Sequence, residues 1–213
     1  MLEILVKLLI SYLLGSLMGG LVLGKVLGGA DLRTVGSESA GATNALRTRG
    51  KGFAAGVFLI DILKGLAAVT IVAGFAWPGG DTTLLSPLAL SAACGVAAVL
   101  GHLYPVFFGF RGGKGVATLL GTMLGLSPAI LGVALAVWVV ILLASGYVGL
   151  ASISAGVAAA LAALFWSPGA LNSPITIFCL LMAVLVIYTH RSNIQRLMDG
   201  SEHKFDVWGK FRK

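Results

Sequence analysis

The stretch PAILGVALAVWVVILLAS, residues 128–145, decides the fold class of this chain. It contains no charged residue and lies between Ser127-Pro128 and Ser145-Gly146, pairs that are typical of helix boundaries. A helix over these residues rises about 27 Å at ~1.5 Å per residue, close to the ~30 Å hydrocarbon core of a bilayer. The stretch therefore predicts a membrane-spanning helix.

Further apolar runs extend this interpretation to the whole chain. They are residues 4–23, 53–77 and 84–100, and three more within residues 115–189. The chain is 58% hydrophobic and 11% charged over 213 residues, whereas soluble domains are about 25% charged. The sequence thus predicts an all-α polytopic membrane bundle of seven transmembrane helices, in a single domain over residues 1–213. Because the runs are continuously apolar, they argue against the alternating strands of a transmembrane barrel.

Charge placement predicts the orientation of the bundle, because cytoplasmic loops carry an excess of Lys and Arg. Thirteen of the 15 basic residues lie in residues 25–51, 111–114 and 191–213, and the intervening loops carry none. We therefore expect the N-terminus outside and the C-terminus in the cytoplasm. This topology, with contact to membrane lipids, explains the net charge of +7 without nucleic acid as a partner.

Two features within the apolar runs leave alternatives open. Small residues at spacings that favour close helix packing in a bilayer recur in and after the first run. They are Gly15, Gly19, Gly20, Gly24 and Gly28. Asp61 and Lys64 lie one helical turn apart inside the second run, where ions are costly and either pair or line a wet cavity. They form a structural pair or the floor of a polar site.

Three polar clusters lie on the side that we assign to the cytoplasm. The first polar cluster is residues 36–51, GSESAGATNALRTRGK. The second polar cluster is residues 101–115, GHLYPVFFGFRGGKG, and the third polar cluster is residues 190–202, HRSNIQRLMDGSE. Because an even number of predicted spans separates each cluster from the next, all three can converge on one face.

The residue types in these clusters are suited to phosphate binding. Glycine N–H groups and hydroxyls can converge on an oxyanion, and the planar guanidinium of Arg47 can donate two parallel hydrogen bonds to it. Lys114 stands among three glycines at the start of a span, where a helix N-terminus adds partial positive charge. Taken singly, the first cluster could be a solvated loop, the second an interfacial loop and the third a juxtamembrane anchor. Together with Asn193, however, the clusters favour one oxyanion site.

Several chemistries are disfavoured by what the clusters lack. Phe108 and Gly115 stand where a nucleotide-binding P-loop needs Gly and Ser or Thr. Ser37 stands where a Gly-x-Ser-x-Gly nucleophile elbow around Ser39 needs its first glycine. The histidines have neither the spacing nor the cysteine partners of a zinc site, so we expect no metal and no cofactor.

The clusters resemble the signatures of a known family, the bacterial integral-membrane glycerol-3-phosphate acyltransferases that use acyl-phosphate as donor. That family carries Gly-Ser-x-x-x-Gly-Ala-Thr-Asn with a following Arg, then Gly-His-x-x-Pro with Gly-Gly-Lys-Gly-Val-Ala-Thr, then His-Arg-x-Asn-Ile-x-Arg-Leu-x-x-Gly-x-Glu. Residues 36–47, 101–118 and 190–202 carry them in that order. The chain departs from the family at Ser39, where Asn is usual, and at Gly149, where Ser is usual.

The resemblance implies transfer of a fatty acyl group from acyl-phosphate to the 1-hydroxyl of sn-glycerol-3-phosphate. The products would be lysophosphatidic acid and phosphate, the first step of phospholipid synthesis. We expect a monomer in the bacterial cytoplasmic (inner) membrane, with the active site on the cytoplasmic face. The implied catalytic residues are Ser37, Arg47, Lys114, His190 and Asn193. The implied substrate-binding residues are Gly41, Ala42, Thr43, Asn44, His102, Gly112, Gly113, Gly115, Ser152 and Glu202.

The expected mechanism is direct attack by the glycerol hydroxyl, because an acyl-phosphate already has a good leaving group and positioning suffices. Arg47 and Lys114 would hold phosphates, and His190 with Asn193 would orient glycerol-3-phosphate. Hydrogen bonds would come from Ser37, Thr43 and Asn44. The proton acceptor is either a substrate phosphate or His190.

Two other functions compete with this one. Acyltransferases that use thioesters place Asp five residues after a His, a place taken here by Phe107 and Gln195. An anion or phospholipid transporter of the inner membrane would carry polar groups on both faces or at the midplane, whereas here they gather on one face.

Overall fold

The computed structural model describes residues 1–29, 31–167 and 169–205, and every regular element in these ranges is helical. Pro168 and the basic residues Lys210, Arg212 and Lys213, on which the sequence argument drew, lie outside the described residues. The chain divides into two compact units, Met1–Leu126 and Ser127–Lys213. The all-α class is confirmed, and a single domain over residues 1–213 stays a prediction.

The first unit carries the first and second polar clusters. The α-helices among its described residues are α1 (Leu2–Gly15), α2 (Gly19–Leu27), α3 (Ala42–Arg49), α4 (Lys51–Ala67), α5 (Pro87–Leu103) and α6 (Val116–Leu126). A π-helical turn, Ala68–Val72, continues α4. Short 3₁₀ turns, Leu32–Thr34 and Val106–Phe108, order the loops before α3 and α6.

The second unit carries the third polar cluster. Its described α-helices are α7 (Pro128–Ser145), α8 (Val148–Trp166), α9 (Pro174–Thr189) and α10 (Arg191–Met198). A 3₁₀ turn, Ala170–Asn172, lies between α8 and α9. Helix α7 covers the stretch that sequence analysis identified as a span. It ends at Ser145 because Gly146 adopts the left-handed conformation, with φ 77°, that suits a glycine.

The first apolar run forms two helices, α1 and α2, bent by 51°. Helix α2 begins at Gly19, whose N–H donates to Asp61 Oδ1 at 3.2 Å. A carboxylate stabilises the positive N-terminal end of a helix. A buried acid on α4 therefore explains a break that the run of apolar residues did not reveal.

Length and composition support four to six spans among the described residues. Four segments are long and apolar enough to cross a membrane: α4 with the π-helical turn, α5 with the 3₁₀ turn, α7, and α8. Two further candidates are bent pairs of helices, α1 with α2 and α9 with α10. Helix α6 has 11 residues, so it rises only about 16 Å and is too short to cross the hydrocarbon core alone. The seventh span and the orientation of the termini stay predictions.

Small residues let helices approach closely in the first unit. At three of the predicted glycines, a Cβ atom would overlap a backbone carbonyl oxygen of a neighbouring segment. They are Gly15, Gly19 and Gly20. The same prediction is wrong for Gly24 and Gly28, because no neighbouring segment of the described residues comes within 4 Å of a Cβ placed there.

Candidate active site

The loop of the first polar cluster is held by the buried side chain of Asn44, at the start of α3. Its Nδ2 donates to the carbonyl oxygens of Leu32, Val35 and Ser39 at 2.8, 3.0 and 2.9 Å. Its Oδ1 accepts from the backbone N–H of Ser37 at 2.9 Å. Asn44 is 1% exposed, so the structure gives it a positioning role, and substrate contact by Asn44 stays a prediction.

Other predicted residues of the first polar cluster lie nearer the surface. Gly41 precedes α3 and Ala42 begins it, with Thr43 and Arg47 exposed along the helix. No side chain among the described residues caps the first turn of α3. Ser37 is half-buried above Asn44. The arrangement presents backbone N–H groups, hydroxyls and a guanidinium that an oxyanion could bind.

The second polar cluster folds back on the end of α5. The N–H of Gly112 donates to Leu103 O at 3.1 Å, and the N–H of Gly113 donates to His102 O at 3.2 Å. A Cβ at Gly112 would overlap the His102 carbonyl oxygen, so this close return requires glycine. Lys114, half-buried, follows these two turns and precedes α6.

Arg33, which the sequence identified only as a basic loop residue, joins the loops of the first two clusters. Its Nη1 donates to Phe108 O at 2.9 Å and Arg111 O at 3.0 Å. Asp31 orients the guanidinium through Nη2 to Oδ2 at 2.6 Å. The hydrogen bonds from Arg33 hold the pKa of the Asp31 carboxyl below its ordinary value.

His102, at the start of the second polar cluster, lies beneath the glycine loop of that cluster and is 2% exposed. Its Nδ1 is 2.9 Å from Lys64 Nζ and 3.1 Å from Thr118 Oγ1. Lys64 in turn pairs with Asp61 at 2.8 Å. Of the two alternatives for Asp61 and Lys64, the structure shows the buried ion pair, which contacts His102. That the pair forms the floor of a polar site stays a prediction.

The third polar cluster is a compact hydrogen-bonded turn in the second unit. Nδ1 of His190, which is 3% exposed, lies 2.8 Å from Val186 O. Asn193 Nδ2 donates to Glu202 Oε1 at 2.7 Å, and Arg196 Nε donates to Glu202 Oε2 at 2.6 Å. Glu202, predicted to bind substrate, thus holds Asn193 in place, and Arg196 is a supporting residue that sequence analysis missed.

Helix α8 meets this cluster through Gly149. A Cβ there would lie 2.9 Å from Asn193 Cβ, so glycine at this position lets α8 approach Asn193 closely. The Ser152 hydroxyl donates to Val148 O at 2.9 Å and lies 3.3 Å from Trp138 Nε1, so its substrate contact stays a prediction. Among the described residues, no group of three His, Cys, Asp or Glu side chains could hold a metal ion.

Comparison with known proteins agrees with these motifs. A protein-family model described as glycerol-3-phosphate acyltransferase matches residues 5–200. The chain belongs to this acyltransferase family. The glycerol-3-phosphate acyltransferase of Aquifex aeolicus (strain VF5) is 44% identical, over 83% of this chain and 86% of that protein. That of Neisseria meningitidis serogroup C (strain 053442) is 45% identical, over 82% and 83%.

Two solved structures resemble this glycerol-3-phosphate acyltransferase along its length. Both are crystal structures of PlsY (YgiH), described as an integral membrane glycerol 3-phosphate acyltransferase. Its glycerol 3-phosphate form has a TM-score of 0.84 at 40% identity, and its lysophosphatidic acid form has 0.83 at 38%, each covering 99% of both chains. The family predicted from the three clusters is confirmed, and the acyltransferase is an integral membrane protein with several apolar helices.

Proposed function

We propose that this glycerol-3-phosphate acyltransferase takes its acyl group from an acyl-phosphate. It places the group on the 1-hydroxyl of sn-glycerol-3-phosphate and releases lysophosphatidic acid and inorganic phosphate. The observation that carries the proposal is the bridge made by Arg33, which ties two glycine-rich cationic loops together. Such loops offer N–H, hydroxyl and ammonium donors, and each of the two substrates presents a phosphate to them.

The reaction needs positioning more than covalent chemistry. The 1-hydroxyl oxygen attacks the acyl carbon, an ester bond forms, and the bond between the acyl carbon and the phosphate oxygen breaks. Inorganic phosphate leaves with the electron pair of that bond. Phosphate is already a good leaving group, so fixed donors around it and around the developing oxyanion supply the main stabilisation. In this proposal Arg47 and Lys114 hold phosphates, and Ser37 and Thr43 donate hydrogen bonds.

The hydroxyl proton has two candidate acceptors, a substrate phosphate and His190. A carbonyl oxygen only accepts, so the 2.8 Å contact means that His190 Nδ1 carries a proton and donates it to Val186 O. In the neutral ring Nε2 is then the basic nitrogen, which suits a general base. Asn193, held by Glu202, is proposed to orient glycerol-3-phosphate.

The membrane context completes the proposal. Excess positive charge on the loops of the three polar clusters favours the cytoplasmic face of the bacterial inner membrane. A monomer that binds membrane lipids, without a cofactor, is sufficient for the chemistry. Acyl-phosphate would reach the site from the bilayer, and glycerol-3-phosphate from the cytoplasm.

The test is phosphate release by the purified full-length protein in detergent. Acyl-phosphate is supplied with and without glycerol-3-phosphate, and acyl-CoA is the alternative donor. We expect phosphate and lysophosphatidic acid in equal amounts, only with acyl-phosphate and glycerol-3-phosphate together. Acyl transfer to glycerol-3-phosphate with acyl-CoA but not with acyl-phosphate would contradict the proposed donor. No turnover by a folded sample over several chain lengths would contradict the function and direct attention to transport assays in liposomes.

Two variants test the phosphate-binding residues in the same assay. Lys114→Ala and Arg47→Ala should each lower kcat/KM by about 100-fold or more, as expected for groups that stabilise transition-state charge. Lys51→Ala is the matched control, because Lys51 is an exposed lysine at the start of α4 and has no assigned role. Near-normal kcat in Lys114→Ala would remove Lys114 from the mechanism.

A further inference from the structure

The ammonium group of Lys64 meets as many acceptors as it has protons. Lys64 is 4% exposed, and its Nζ lies 2.8 Å from Asp61 Oδ1 and 2.9 Å from Leu17 O. The third acceptor is His102 Nδ1, at 2.9 Å. An ammonium group has three donors and no acceptor, so the ring nitrogen must accept.

The surroundings of His102 Nδ1 exclude a proton on that atom. A proton there would set two donors against each other, 2.9 Å apart. It would also add a second positive charge beside the single carboxylate of Asp61. Oδ1 of that carboxylate lies 3.6 Å from Nδ1, beyond hydrogen-bond distance, and already accepts from Lys64 and from Gly19 N–H. Burying an unpaired charge is costly. The Thr118 hydroxyl, at 3.1 Å, can donate to the same lone pair.

The opposite edge of the ring faces the glycine loop. A neutral imidazole whose Nδ1 accepts carries its proton on Nε2. A Cβ at Gly113 would stand 2.5 Å from His102 Nε2, so the backbone of Gly113 lies directly over this nitrogen. Among the described residues, the hydrogen bonds and ion pairs of the ring run through Nδ1. The Nε2–H group is thus the donor on the side of the loop that carries Lys114.

We infer that Lys64 locks His102 as the neutral, Nε2-protonated tautomer, and that this Nε2–H is an oxyanion donor for phosphate bound at residues 112–115. Lys64 and Asp61 are then positioning residues, which act through the ring. The inference rests on the proposed function in one respect, that a substrate phosphate binds this loop. The ligand chemistry is a phosphoryl oxyanion, which glycerol-3-phosphate and acyl-phosphate share.

The tautomer is tested by nitrogen NMR of the full-length protein in detergent, with ¹⁵N-labelled histidine. The ring correlations of His102, assigned by their loss in His102→Gln, should show a protonated Nε2 and a bare Nδ1. A protonated Nδ1 or an imidazolium pattern would overturn the inference. This spectrum needs no substrate, so it separates failure of the inference from failure of the proposed function.

A matched pair of variants tests the lock. Lys7 is a second buried lysine, paired with Glu3 at 2.7 Å and donating to Ala73 O at 2.9 Å. Lys64→Met should change the His102 correlations toward a mixture of tautomers, and Lys7→Met should leave them as in the parent. Unchanged correlations in folded Lys64→Met would overturn the lock. If Lys64→Met does not fold, the parent spectrum still decides the tautomer.

Side chains that imitate one ring nitrogen test the donor. The amide nitrogen of Gln reaches the place of Nε2, and that of Asn reaches the place of Nδ1. His102→Gln should keep about a tenth of parental kcat/KM, and His102→Asn should lose about 100-fold or more, the loss typical of a missing oxyanion donor. Equal loss in both variants would overturn the donor role, since a merely structural ring would not distinguish them.

Ligand titrations identify which phosphate reaches the donor. Glycerol-3-phosphate and an acyl phosphonate, a stable analogue of acyl-phosphate, are added separately to the labelled protein. A shift of the His102 Nε2 signal with one of them supports the inference and names its source. No shift with either ligand at concentrations that saturate the enzyme in competition assays would overturn it.

Discussion

His102 and His190 are both buried histidines of polar clusters, and their rings are held in opposite ways. Nδ1 of His102 accepts from Lys64 at 2.9 Å, whereas Nδ1 of His190 donates to Val186 O at 2.8 Å. In the neutral rings, Nε2 is therefore a donor in His102 and an acceptor in His190. The group that contacts Nδ1, an ammonium group or a carbonyl, therefore determines whether Nε2 donates or accepts a hydrogen bond.

The largest loss of activity is expected when the basic Nε2 of His190 is removed. His190→Asn keeps a donor near Val186 O but has no basic nitrogen in place of Nε2. We expect kcat to fall by about 100-fold or more, the usual contribution of a general base, with little change in melting temperature. The measurement is kcat against pH for the parent, His190→Asn and His190→Gln. Unchanged rates and pH profiles would assign the proton to a substrate phosphate instead.

The next effect concerns the support of the third polar cluster. Each oxygen of Glu202 accepts one side-chain hydrogen bond, from Asn193 at 2.7 Å and Arg196 at 2.6 Å. Glu202→Gln turns one acceptor into a donor, and an unsatisfied partly buried group costs about 1–3 kcal/mol. We expect a loss of about 10- to 30-fold in kcat/KM for glycerol-3-phosphate, measured by phosphate release.

The control for this variant is Asp199→Asn, at the C-terminal end of α10 and close to Glu202 in the sequence. Asp199 is exposed, and its carboxylate accepts from Gln195 at 3.1 Å. The activity of Asp199→Asn should match that of the parent. A loss in Asp199→Asn equal to that in Glu202→Gln would mean that any charge change in this segment is harmful, and that Glu202 has no special role.

The sequence predicted features with local causes and missed those set by distant residues. Both ends of α7 were predictable, since Ser127-Pro128 and Gly146 define them. The loop held by Asn44 was predicted as a polar glycine-containing segment, and its hydrogen bonds all lie within 12 residues of Asn44. The break between α1 and α2 depends on Asp61, 42 residues from Gly19, and no periodicity connects the two.

The candidate site shows the same division. The three motifs identified the family, because their residues are contiguous in the sequence. The sequence did not predict the partners that hold His102 and Arg33, because these partners are far away in the chain. Lys64 is 38 residues from His102, and Arg111 is 78 residues from Arg33. Residue type suggested that His102 binds substrate, but only the structure reveals which nitrogen carries the proton.

A smaller effect tests the contact between His102 and the glycine loop. Gly113→Ala would place a methyl group 2.5 Å from Nε2, so the ring or the loop must move. We expect kcat/KM to fall about tenfold or more, because a displacement of about an ångström in a positioned site reduces the rate. The His102 nitrogen signals should shift while those of His190 remain. Gly74→Ala is the control, because no neighbouring segment in the described part of the chain lies within 4 Å of the added Cβ.

The smallest expected effect is the pH dependence of the bridge between the first two loops. The pKa of Asp31 lies below its ordinary value of 3.8 because Arg33 donates hydrogen bonds to the carboxylate. The stabilisation is therefore present above the ordinary pKa, and it is lost as the pH falls through the lowered pKa of the folded state. The two side chains are 26% and 36% exposed, so solvent screening limits the effect to about 1 kcal/mol or less.

Thermal unfolding of Asp31→Asn and the parent at a series of pH values measures this effect. The parent should melt a few degrees higher at neutral pH, and the difference should vanish below the lowered pKa. A difference that persists in strong acid would assign the stabilisation to packing of the side chains. The nitrogen signals of both histidines should be the same in Asp31→Asn. The bridge orders the loops above His102, but the described contacts of its Nδ1 come from Lys64, Asp61 and Thr118, none of which the variant changes.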